Sequence, residues 1–207
     1  MKVYLSFIIF FLSFGNFCFA QQSVLFVGGD SLFANKVTLL DSTQEISIEL
    51  LKSGKTKIFS TDEIFSITDN KGKETILFKP FKEDNLDFTI ANMRLFIKGE
   101  QYSDKHSAWF AGMLSLGVGF AAPILMANKF NPFYSPIPVA LGTAFIGMTS
   151  PSKRRAKRLY PKLSSDPYFL EGYTMNGKAR RINSSIRGGL IGFILGWVVA
   201  ISASSAK

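Results

Sequence analysis

The chain has 207 residues, of which 47% are hydrophobic and 21 are Phe, and carries a formal charge of +9. That length allows one or two modest domains, and the single cysteine, Cys18, lies in a segment expected to be removed on export, which excludes disulfides, Cys-ligated metal and thiol catalysis from the mature chain. The charge reads as a nucleic-acid signal only until it is located: Lys153, Arg154, Arg155, Lys157, Arg158, Lys162, Lys178, Arg180, Arg181 and Arg187 face only Asp166 and Glu171, beside hydrophobic segments, so anionic lipid headgroups are the expected partner and nucleic acid is not.

Residues 1–20 have the layout of a secretory signal peptide, with Lys2 as basic n-region, an apolar run from Val3 to Phe14, and Phe17-Cys18-Phe19-Ala20 before Gln21. Bulky Phe17 argues against a lipidated Cys18, and cleavage after Ala20 is expected. Residues 21–82 then read as a small antiparallel β-barrel or roll. Short strands are expected at 24–27, 32–40, 46–50, 57–59, 64–68 and 75–78, separated by Gly28-Gly29-Asp30, Asp41-Ser42-Thr43, Ser53-Gly54-Lys55, Ser60-Thr61-Asp62-Glu63 and Asp69-Asn70-Lys71-Gly72-Lys73. Ile46, Ile48 and Leu50 alternate with Ser47 and Glu49, the period of a half-buried strand. Closure is expected because it limits exposed edges.

The period changes after residue 83. Leu86, Ile90, Met93, Phe96 and Ile97 fall near helical spacing, so 83–106 is expected to be an amphipathic helix connecting to the membrane. His106, the only histidine, is read as an interfacial residue beside Ser107 and Trp109 rather than a ligand or base. Within 107–149, residues 108–127 are long enough to cross a bilayer and carry Ala111, Ser115 and Gly119 at four-residue spacing. Pro132, Pro136 and Pro138, interleaved with Phe130, Phe133 and Tyr134, favour a surface loop, and 137–148 is short enough for a re-entrant helix. With only the first and last apolar segments crossing, the basic loop is expected to face the cytoplasm and the β domain the exported side, in the inner membrane.

Residues 150–183 read as a basic, aromatic loop and surface helix. Ser165-Asp166-Pro167 is its start signal, and Tyr168, Phe169, Tyr173 and Met175 accompany Lys178, Arg180 and Arg181. In 184–207 small residues recur every fourth position, at Ser184, Gly188, Gly192, Gly196, Ala200 and Ser204, with bulky apolar residues between them. That is a glycine-zipper transmembrane helix, whose smooth stripe lets a second helix approach until backbones touch. The helix-packing residues are therefore Ala111, Ser115, Gly119, Ser184, Gly188, Gly192, Gly196 and Ala200. The lipid-contact residues are Lys153, Arg154, Arg155, Lys157, Arg158, Lys178, Arg180 and Arg181.

Three stretches, STDEIFSITDNKGKETILF, IKGEQYSDKHSAWFAGMLSLGVGF and DPYFLEGYTMNGKARRINSSIRGGLIGFILGW, resemble a group of uncharacterised exported membrane proteins common in Bacteroidota. The likeness rests on layout, on Gly172-Tyr173 and on the glycine-rich final helix. It implies a signal peptide, a small β domain and a membrane region, and no substrate or site residue.

Catalytic signatures are missing: the sequence holds no Walker A loop, no dinucleotide fingerprint, no paired His and no Gly-x-Ser-x-Gly elbow. Asp62-Glu63 and Glu83-Asp84 sit at expected turns, and no metal or cofactor site is expected. The expected function is a non-enzymatic cell-envelope component whose anchored β domain engages a protein partner. An oligomeric pore or transport accessory built on the small-residue stripes, and a membrane enzyme acting on lipid or cell-wall material, are the alternatives.

Overall fold

The computed structural model describes residues 21–40, 44–51, 53–83, 86–105, 108–129, 135–149 and 153–205. The expected signal peptide with Cys18, the turn at 41–43, Asp84, His106 and the loop holding Phe130, Pro132, Phe133 and Tyr134 lie outside those residues. The chain divides into two compact units, one ending at Lys79 and the other beginning at Pro80.

The first unit is a six-stranded antiparallel sheet. Its strands are β1 (Gln22–Phe26), β2 (Ser31–Leu40), β3 (Glu45–Leu50), β4 (Thr56–Ser60), β5 (Ile64–Thr68) and β6 (Glu74–Ile76), in the spatial order β4-β3-β2-β1-β5-β6. The alternation in β3 is realised as read: Ile46 and Ile48 are fully buried with Val24, Ala34 and Ile64, and Phe26, Val37, Phe59, Ile67 and Leu77 close over them. Turn chemistry sets the connections. Asp69 Oδ1 accepts from the backbone N–H groups of Lys71 and Lys73 at 2.8 Å each, and Gly72 supplies the positive φ of 79° that the turn needs. Ser60 caps a single 3-10 turn, Thr61–Glu63, that leads into β5.

The expected barrel does not close, because β4 and β6 are the two ends of the sheet and do not pair. Their composition explains it. β6 has three residues, too few for a closing ladder, and Lys57 on β4 and Glu74 on β6 are exposed charges of the kind that keep an edge unpaired.

The second unit begins with a hairpin, β7 (Phe81–Glu83) and β8 (Leu86–Phe88). Here the expected helix over 83–106 is corrected: Leu86–Phe88 is strand, and helix α1 runs Ile90–Asp104. The start is fixed by Thr89, whose Oγ1 accepts from Asn92 N–H at 3.3 Å, while the Asn92 side chain donates to Asp87 O at 2.7 Å. Stacking of Phe81 on Phe88, centroids 5.0 Å apart, holds the hairpin.

Four helices follow: α2 (Trp109–Lys129), α3 (Pro136–Met148), α4 (Lys153–Leu159) and α5 (Pro167–Ser205). α2 and α5 are each long and apolar enough to cross a membrane. The break expected at 183/184 is absent, and α5 is one helix of 39 residues. Its start is the expected one: Asp166 Oδ1 accepts from Tyr168 N–H at 2.9 Å and Phe169 N–H at 3.2 Å, with Pro167 first in the helix.

The aromatic residues of this region are core rather than surface. Phe169 and Tyr173 are 0% and 1% exposed. They form a cluster with Tyr102 of α1 and with Tyr160, and Tyr102 meets Tyr160 edge-on at 4.7 Å. The physical reason is a partner that the sequence reading did not assign: the buried face of α1, with Met93, Phe96, Ile97 and Gly99, lies on the first half of α5. Met175 alone of the four aromatic-face residues points outward, 61% exposed.

Candidate helix-packing site

Small residues bring α5 into backbone contact with α1 and α2 in turn. A Cβ placed on Gly188 would fall on the Gly112 carbonyl, one on Gly192 on the Leu116 carbonyl, and one on Gly196 on the Phe120 carbonyl. Further up, a Cβ on Gly172 would fall on the Phe96 carbonyl, and the Asn176 side chain donates to Glu100 O at 2.9 Å. In each of these pairs the α5 residue stands 76 positions after its partner (96 and 172, 100 and 176, 112 and 188, 116 and 192, 120 and 196). Two consequences follow. α1 and α2 run parallel to α5, and both keep the same offset against it.

The contacts are also reciprocal. A Cβ on Gly119 would meet Gly189 O and Phe193 N, and one on Gly192 meets Leu116 O and Phe120 N. Gly99 faces Phe169 O and Tyr173 N as Gly172 faces Phe96 O. The members of each reciprocal pair are 73 positions apart (99 and 172, 119 and 192), so the chain folds on itself as a parallel helix pair with approximate two-fold symmetry. The sequence carries the matching repeat, Phe96-Ile97-Lys98-Gly99 against Phe169-Leu170-Glu171-Gly172, followed by Ala111/Ser184, Ser115/Gly188 and Gly119/Gly192.

The structure thus brings the helix-packing residues together. Ala111, Ser115, Gly119, Gly188, Gly192, Gly196 and Ala200 are buried in the contact, and Ser184 meets Gly112, whose Cβ would lie 2.7 Å from Ser184 Oγ. Their partner is within the chain, so the smooth face that a pore or homo-oligomer would use is occupied by α2.

Three residues outside the predicted set complete the site: Ser185, Thr143 and Gly189. Ser185 Oγ–H donates to Thr143 O at 2.6 Å, which leaves Ser115 as the donor in its hydrogen bond with Ser185. Thr143 in turn donates to Ala140 O at 3.0 Å. This chain of hydroxyls ties α2, α5 and α3 together where Ser115 and Ser185 are fully buried. α3 runs antiparallel to α5, since Thr143 meets Gly189 while Gly147 meets Ile182. The signal for Ser185 is its place beside Ser184 at the start of the apolar segment.

The direction of the relay gives a prediction. Ser185→Ala leaves the Ser115 hydroxyl without its acceptor and removes the bond to the Thr143 carbonyl, which keeps its helical partner, and is expected to cost about 1–2 kcal/mol. Ser115→Ala removes only an acceptance and is expected to cost less. Unfolding midpoints of the purified chain in denaturing detergent compare them, and an equal or reversed order would contradict the assigned donor direction.

The cations divide into two groups. Lys153, Arg154, Arg155, Lys157 and Arg158 on α4, and Lys178 on α5, are exposed. Arg180 donates to Ser103 O at 3.1 Å and pairs with Asp104 at 3.3 Å, which caps α1. Arg181 donates to Thr149 O at 3.2 Å, at the end of α3. Among the described residues no group of three or more His, Cys, Asp or Glu side chains is placed to hold a metal ion. No family model, curated protein or solved structure matches the chain.

Proposed function

We propose that the protein is a non-enzymatic component of a cell-envelope membrane, in which α2 and α5 cross the bilayer as a fused parallel pair and hold the sheet unit at the membrane surface to engage a protein partner. One observation carries the bilayer reading: the size polarity of these helices is inverted relative to a water-soluble bundle. Their buried positions are small, such as Ala111, Ser115, Gly119, Gly188 and Gly192, while Phe110, Leu114, Leu125, Leu190, Ile194 and Val198 are each 46% exposed or more. Water penalises such a surface at about 25 cal/mol per Å², whereas lipid does not.

Helix direction then sets sidedness. Parallel neighbours cross in the same sense, so in this reading the start of α5, and the basic segment before it, lie on the side of α1. Between residue 21 and α2 the sequence has no other apolar stretch of bilayer length, so the sheet unit shares that side. With export led by the N-terminal segment, this reading puts both on the exported face, against the cytoplasmic placement expected from charge.

The test of the bilayer reading is extraction. The protein is expected to stay in membranes washed with alkaline carbonate and to need detergent for release. Recovery as a water-soluble monomer would refute it.

A further inference from the structure

Beside the contact between α3 and α5 runs a furrow made of two adjoining hollows of about 260 and 340 Å³, which share Ala140, Thr143 and Ile186 as walls. One end is at Pro136 and Phe193, the other at Met148 and Ile182. From Ile182 to Phe193, at a rise of 1.5 Å per residue, its length is roughly 16 Å, about half of a hydrocarbon core of ~30 Å and so the depth of one leaflet.

The two ends differ in charge. From Gly188 to Ala206 the sequence has no charged residue. At the other end Lys178 stands one turn before Ile182, on the same helical line as Ile186 and Leu190, and is exposed. Arg181, next in sequence to Ile182, is held by its hydrogen bond to Thr149 O, just past the end of α3.

The geometry points to a specific phospholipid site, with one acyl chain along the furrow and an anionic phosphate between Lys178 and Arg181. It rests on the bilayer reading of α2 and α5. Here a guanidinium suited to phosphate is already positioned, and little side-chain freedom is lost on contact.

Native mass spectrometry of the full chain in detergent tests the site, using phosphatidylglycerol and phosphatidylcholine with the same acyl chains. One phosphatidylglycerol is expected to be retained in preference to phosphatidylcholine. Lys178→Gln is expected to lower the retention ratio of the two lipids about fivefold. Ala140→Phe and Ala144→Phe, at two exposed positions on α3, fill the furrow and are expected to remove the retained lipid with the unfolding midpoint unchanged. Having two such variants separates occlusion from a folding defect in either. Equal retention of both lipids by the parent chain, or an undiminished adduct in the filled variants, overturns the proposal. A chain that purifies as a monomer without detergent overturns the bilayer reading, and this site with it.

Discussion

Replacing Gly192 with leucine is expected to separate α2 from the second half of α5 and to lower the unfolding midpoint of the purified chain more than any hydroxyl variant. The steric reason is local and one-sided. Even the first carbon of a side chain at Gly192 would fall on the Leu116 carbonyl, with Phe120 N at 2.9 Å, so the obstruction is backbone on a neighbouring helix and no rotamer avoids it. Overpacked contacts that can partly relax cost about 1–3 kcal/mol. A helix pair that must move apart along its length also loses the reciprocal Gly119 contact and the Ser115–Ser185 hydrogen bond, so a loss of at least about 3 kcal/mol is expected. Gly117, on the same stretch of α2, has nothing within 4 Å of where its Cβ would be. Gly117→Leu is therefore the matched control, expected to leave the midpoint unchanged. Equal effects of the two substitutions would show that the stripe is not the contact. The disruption is within one chain, so loss of a partner or a change in oligomer mass is not its signature.

How much of this was legible in the sequence depends on the range of the signal. Alternation at Ile46 and Ile48 and the turn residues at Asp69 and Gly72 are local, and all six strands of the first unit fall where they were read. Closure is not local. It depends on whether β4 meets β6, two segments separated by more than a dozen residues that carry no mark of each other. A boundary in α5 is expected at 183/184 because composition changes there from charged to apolar. The backbone has no reason to stop: no proline interrupts the segment after Pro167, and one helix can serve two media. The stripe itself continues backwards in four-residue steps through Arg180 and Asn176 to Gly172. Following it would have placed Phe169 and Tyr173 beside the contact line rather than on a lipid surface. The repeat at 73 positions is readable as well, from Phe96 to Gly99 against Phe169 to Gly172, and it carries the parallel direction of α1 and the first half of α5.

That direction has an all-or-none consequence. Single cysteines placed at Ser53 in the sheet unit and at Met175 on α5, both exposed, are expected to behave alike towards a membrane-impermeant thiol reagent in intact cells, and a cysteine at Lys207, after α5, is expected to behave oppositely. With the sheet exported, the first two are labelled without lysis and the third only after it. The competing argument is the positive-inside tendency, which would put the basic segment in the cytoplasm and turn α5 against α2. That tendency acts on short loops near the ends of spans, and here part of the charge is already committed: Arg180 pairs with Asp104 and caps α1. Reversing α5 would forfeit those bonds, the Asn176 bond to Glu100 O and every reciprocal glycine contact from Gly99 to Gly192 together. The hydrogen bonds are each worth about 0.5–1.5 kcal/mol, the half-exposed ion pair less, and they fail as a set because they share one register. Labelling at position 53 with protection at position 175 would mean that α2 and α5 cross in opposite senses, and the fused parallel pair would then be wrong.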